Sequence, residues 1–110
     1  MNIDQHPDLA RLEASAGEAA SLLRALSNEK RLMILCQLGD REMSVGQILP
    51  LVGLSQSALS QHLAKLRDEA LVTTRRDGTT IFYRIAEPAV LKVIAVLAEI
   101  YCPPLSAGKA

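Results

Sequence analysis

Tryptophan is absent, and only three aromatic residues occur: Phe82, Tyr83 and Tyr101. Rings cannot carry the core, so it must be built from Leu, Ile, Val and Ala, which favours helices. Net charge is lacking too, because 12 Lys plus Arg balance 12 Asp plus Glu. The total therefore lacks the strongly basic balance that usually marks a nucleic-acid binder. No apolar run reaches the roughly 20 residues that a membrane helix needs. The longest, 89–102, is interrupted by Lys92 and Glu99. The opening residues are polar and acidic, unlike a secretory leader, so the expectation is a cytoplasmic chain without membrane contact. In that setting the two cysteines, Cys36 and Cys102, are not a staple by default. They are core packing, metal ligands or redox groups. No repeat or low-complexity segment stands out.

The 110 residues suit one domain, and an apolar content of 49% argues against disorder. A domain is expected over 8–102, flanked by flexible tails at 1–7 and 103–110. Charge is distributed less evenly than its sum. Residues 1–20 hold Asp4, Asp8, Glu13 and Glu18 against Arg11. Residues 55–85 hold Lys65, Arg67, Arg75, Arg76 and Arg84 against Asp68, Glu69 and Asp77, a modest local excess of base.

Periodicity supplies the element order. Leu9, Leu12, Ala16, Ala19, Leu23 and Leu26 recur at three and four, which predicts one amphipathic helix. Asn28 is placed to cap a second helix and Gly39 to stop it. Within it Leu32, Met33, Ile34, Leu35, Cys36 and Leu38 leave almost no polar face, so it is expected at the centre of the core. Residues 40–43 read as a turn. Ser44 and Gln47 have capping-box spacing for a third helix, in which Pro50 should cause an end or a kink. Gly53-Leu54 then turns the chain, and Ser55 caps a fourth helix running to Arg67. A short helix, a Gly-containing turn and a helix form the helix-turn-helix pattern.

After Ala70 the period changes. Residues 71–76 and 79–85 are rich in Val, Thr, Ile, Phe and Tyr, with the hairpin signal Asp77-Gly78 between them. Such a hairpin directly after the fourth helix is a wing. Pro88 suits the first turn of a last helix, 89–101, which Pro103-Pro104 follows. The fold class expected is mainly α with a β-hairpin wing: a winged helix-turn-helix of four helices, two strands and a final helix.

The fourth helix carries the candidate reading face. Leu59, Leu63 and Leu66 fall together and should face the core. Gln56, Ser57, Ser60, Gln61 and Ala64 fall together on another face. Short side chains let a helix approach base edges, Gln amides can pair with adenine, and Ser serves bases or phosphates. Ser55 and the N–H groups of the first turn suit a phosphate. The alternative is a plain solvated face rich in Ser and Gln; the turn before it and the wing after it favour DNA reading. His62 sits at the edge of the buried face, fit for phosphate contact or for packing. Lys65 and Arg67 are further phosphate candidates. Arg75 and Arg76 lead to the wing tip, either as solubilising charge or as a contact to the minor groove or a phosphate. Alternation along a strand lets only one of them meet DNA squarely.

The last helix is apolar nearly all round, through Val90, Leu91, Val93, Ile94, Val96, Leu97 and Ile100. A chain this short cannot cover such a helix alone, whereas a twofold partner can. A homodimer through the first and last helices is therefore expected, with an inverted-repeat operator on double-stranded DNA.

The run from Ala25 to Leu35, ALSNEKRLMIL, resembles the second-helix motif of the ArsR family of bacterial repressors. The run from Ser55 to Leu63, SQSALSQHL, matches that family's recognition-helix pattern. The resemblance covers residues 15–102 and implies a winged-helix repressor. Many members sense metals, but their third-helix Cys-x-Cys falls here on Ser44-Val45-Gly46, and the last helix has Glu99 but no His. Two thiolates alone fall short of the usual four zinc ligands. Neither metal nor cofactor is expected.

The placement of Cys36 and Cys102 resembles the persulfide-responsive BigR and SqrR type of that family, and much of the layout is shared with the redox-responsive HlyU type. The resemblance implies that both cysteines form the sensor, bridged by a disulfide or polysulfide when reactive sulfur acts as inducer. Taken alone, Cys36 also fits a buried core thiol. Metal sensing remains an alternative within the family. A thiol enzyme using Cys102 would need a nearby base, and only Glu99 is close in sequence. A dimerisation module without DNA is the remaining alternative.

Overall fold

The computed structural model describes residues 7–101. The expected sensor residue Cys102, the residues 1–6 and the segment 103–110 lie outside the described residues. The expected N-terminal tail overlaps them only at Pro7, which opens the first helix.

The elements are α1 (Pro7–Ala14), α2 (Ala16–Leu26), α3 (Glu29–Leu38), β1 (Met43–Ser44), α4 (Val45–Val52), α5 (Gln56–Asp68), β2 (Val72–Asp77), β3 (Thr80–Ile85) and α6 (Pro88–Tyr101). The winged helix-turn-helix expected from sequence is present. Three local expectations change. The single first helix is broken at Ser15, whose φ of −111° and ψ of 12° leave the helical region. The turn at 40–43 feeds a two-residue strand, β1, which adds a third strand to the wing: Met43 pairs with Tyr83 and Ser44 with Phe82. Two residues are too few to show a period. Pro50 does not end α4, which continues to Val52 and stops where Gly53 turns left-handed at φ 62°.

The caps hold as expected. Asn28 accepts from the Lys30 and Arg31 N–H groups, and Ser44 with Gln47 forms a full capping box. Each such cap stabilises its helix by about 1 kcal/mol. The end of α5 is less regular. The Leu71 N–H donates to the Leu66 carbonyl and the Ala70 N–H to that of Arg67, each at 2.9 Å. This is a Schellman motif, and its left-handed position, normally glycine, is Ala70 at φ 61°.

The core gathers Ile34, Leu35 and Leu38 of α3, Ile48 of α4, Leu59, Leu63 and Leu66 of α5, and Val90 of α6, all fully buried. Each such side chain contributes roughly 1.5–3 kcal/mol by leaving water. They clamp the two helices of the helix-turn-helix onto α3 and fix the angle at which α5 projects. The expectation of an apolar α3 with no outer face is corrected: Met33 and Cys36, one turn apart, are exposed. The core covers only one side of that helix.

Candidate nucleic-acid interface

Side chains of α5 divide as the wheel predicts. Leu59, Leu63 and Leu66 are buried, and Ser55, Gln56, Ser57, Ser60, Gln61, Ala64, Lys65 and Arg67 are exposed. His62 is half-buried at the boundary. Ser55 is extended, with φ −70° and ψ 159°, and its Oγ accepts from the Ala58 N–H at 3.1 Å. Its hydroxyl also lies 3.3 Å from that of Ser57. One first-turn donor is thus used internally, and the helix mouth offers the Gln56 and Ser57 N–H groups to an anion. Gly53 supplies the left-handed residue that lets α4 and α5 meet at a sharp angle.

The wing is set by its turn. Asp77 pairs with Thr80, so the two-residue loop is Gly78-Thr79, one residue later than Asp77-Gly78 suggests. Of these two only Gly78 has positive φ, 64°, the pattern of a type II′ hairpin.

The two wing arginines differ sharply. Arg75 donates from Nε to both Glu42 carboxylate oxygens at 3.1 Å and from Nη2 to Oε1 at 2.9 Å. Its guanidinium also lies 4.9 Å from the Phe82 ring centre, its cross-strand neighbour. The hydrogen bonds from Arg75, and the charges of Arg75 and Arg84, hold the Glu42 carboxyl below its ordinary value of 4.5. Arg76 is exposed and forms no ion pair among the described residues. Sequence reasoning singled out both arginines but missed Glu42, which no local signal marks.

Away from this face, Leu12, Leu23, Val96, Ile100 and Tyr101 are exposed on α1, α2 and α6, with Ile100 at 60% and Tyr101 at 75%. A cavity of about 450 Å³ lies nearby, lined in part by Leu22 and Ala25 of α2 and by Ala89 of α6. Among the described residues no three His, Cys, Asp or Glu side chains cluster so as to hold a metal ion. No helix there is long and apolar enough to cross a membrane.

A capped helix with a Ser- and Gln-rich outer face, held behind a Gly turn and followed by a cationic wing, defines a winged helix-turn-helix DNA-binding regulator. Residues 28–74 match the family described as "Bacterial regulatory protein, arsR family". The chain is 50% identical over 97 residues to the HTH-type transcriptional regulator YgaV of Escherichia coli K12, covering 87% of this chain and 98% of that protein. Reduced HlyU from Vibrio cholerae N16961 superposes with a TM-score of 0.78 at 47% identity, covering 84% of this chain and 97% of that one. The transcriptional repressor BigR from Xylella fastidiosa superposes at 0.81 with 39% identity, over 86% and 97%. The chain belongs to the ArsR family of bacterial transcription regulators.

Proposed function

We propose that this chain is a homodimeric transcriptional repressor that reads an inverted-repeat operator and lets it go when reactive sulfur oxidises Cys36 together with Cys102. The observation that carries the DNA reading is the exposed row Gln56, Ser57, Ser60 and Gln61 on a helix whose other side is locked into the core. Arg76 and Lys65 add phosphate contacts, and Ser55 sets the helix mouth at the backbone. Those contacts supply affinity that the uncharged reading face does not.

Dimerisation follows from the apolar side chains that α1, α2 and α6 leave in water. Large apolar side chains left exposed on these helices favour an interface there. A twofold partner covers it and sets two α5 helices about one DNA turn apart. The similarity to BigR favours repression.

The sensing step is supported by the exposed position of Cys36 on α3, on the side opposite Ile34, Leu35 and Leu38. A small persulfide RSSH transfers its outer sulfur to one cysteine, giving Cys–SSH and RSH. The second thiolate attacks the inner sulfur of that persulfide, forming the disulfide and expelling hydrosulfide. When both cysteines carry persulfides, the same condensation yields a trisulfide. Either bridge ties α3 to the chain just past α6, and a small shift there moves the two α5 helices out of register with the grooves. Similarity to a protein solved as reduced HlyU also favours a thiol-redox switch, with peroxide or disulfide as oxidant.

The deciding experiment measures operator binding and intact mass side by side after treatment with persulfide, disulfide and peroxide donors. The expected result is release from DNA with persulfide, coincident with a bridge between the two cysteines. Retention of persulfide-driven release in both Cys36→Ser and Cys102→Ser rejects the sensor while leaving DNA reading intact.

A further inference from the structure

The C-terminal end of α2, the first turn of α3 and the C-terminal end of α5 enclose an open cleft of about 460 Å³. Three cations line it, Arg24 from α2, Arg31 from α3 and Lys65 from α5, against one acid, Glu69. Three positive charges less one negative leave a net +2. None of the three cations forms an ion pair among the described residues. Arg31 is the telling member. Its Nε is fully buried and meets no acceptor. Its Nη2 reaches only the Arg24 carbonyl, at 3.5 Å, the far limit of a hydrogen bond. A buried donor left without an acceptor costs about 1–3 kcal/mol. Holding three like charges around one cleft adds repulsion. An anion with several acceptor oxygens in the cleft would offset the repulsion and bring acceptors to the guanidinium. The hydroxyl of Ser27 is already committed to the Arg24 carbonyl at 2.8 Å, so Ser21 is the hydroxyl left to help.

We infer that this cleft binds a phosphate-class oxyanion, with Arg31 donating through its guanidinium edge and Arg24 and Lys65 neutralising its charge. Arginine suits this task because its planar fork matches adjacent oxygens of a tetrahedral anion. The phosphate is either a free ligand or one on the operator backbone, which Lys65 at the end of α5 could bring within reach. The inference stands apart from sulfur sensing; only its second source rests on the DNA-binding reading.

Both sources are tested with the full chain. In the first arm inorganic phosphate is titrated at constant ionic strength against chloride while the arginine Nε–H signals are followed by NMR. Saturable movement of the Arg31 signal, absent with chloride, is expected. Arg24→Gln should weaken it at least about tenfold. Arg31→Lys keeps the charge but removes the Nε–H, and should weaken the phosphate response then read on the Arg24 signal. In the second arm operator affinity is measured against salt. A slope smaller by about one in Arg24→Gln assigns the phosphate to DNA. Phosphate shifts that are linear and matched by chloride, together with an unchanged slope, overturn the site and leave water as the partner of Arg31. Failure of the unaltered protein to bind any operator removes the DNA reading without touching the first arm.

Discussion

Arg75 on the wing grips Glu42, 33 residues earlier in the chain, with Nη2 2.9 Å from Oε1, and so fastens the hairpin to the segment joining α3 to α4. The pair leaves Arg76, its neighbour, as the exposed wing arginine with no ion pair among the described residues, the cation proposed above to meet DNA. Glu42→Gln should loosen the wing and lower operator affinity modestly, within about fivefold, since exposed pairs are individually weak. Arg76→Ala should instead reduce the salt slope of binding by about one. Fluorescence anisotropy across a salt series separates the two effects.

The same pair sets a pH dependence. The folded-state carboxyl of Glu42 lies below its unfolded value because Arg75 hydrogen-bonds it. Its contribution is therefore fully present above about 4.5 and is lost as pH falls through the lower folded value. Hydrogen exchange of the β2 and β3 amides should accelerate over that acid range relative to its intrinsic trend. It should show no such step in Glu42→Gln.

On the reading helix, Gln61→Ala and Ser57→Ala should each weaken operator binding while leaving the fold intact, because both side chains are exposed. A lost bidentate base contact costs roughly 1–3 kcal/mol, so Gln61→Ala should cost about 5- to 150-fold at one base position. Equal loss on operator and random DNA would mean that Gln61 touches only the backbone.

Leu23→Glu and Ile100→Glu place a charge on the apolar surface of α2 and α6. Both sites are exposed in the single chain, so its helix content should persist. Sedimentation should show the mass falling from twice the 11.9 kDa chain to once. Operator affinity should fall with it, since one reading head cannot span an inverted repeat.

Ala70→Gly should stabilise the protein. Ala70 holds φ 61° at the end of α5, a conformation that costs an L-residue about 1–2 kcal/mol and glycine little. After glycine's greater chain entropy is subtracted, a gain of about 0.5–1 kcal/mol remains. Thermal unfolding at fixed protein concentration measures it. Loss of stability would show that the neighbouring hydrogen bonds, and not φ, decide that helix end.

The order of helices and wing, the caps at Asn28, Ser44 and Ser55, and the buried face of Leu59, Leu63 and Leu66 were legible in the amino-acid sequence. They depend on interactions reaching no more than about four residues, which periodicity and capping spacing record directly. Other features depended on segments far apart in the chain. Pairing of Met43 with Tyr83 made a third strand from two residues that no pattern marks. The core covered one side of α3 and left Met33 and Cys36 outside, although both are apolar enough for burial. Glu42 chose Arg75 over Arg76, and three helices brought Arg24, Arg31 and Lys65 to one cleft. The sequence by itself determined that α5 presents an uncharged face of Ser and Gln behind a glycine turn. Only the tertiary structure decided which cations stand free around it, because charge pairing is settled by distances across the fold and not by spacing along the chain.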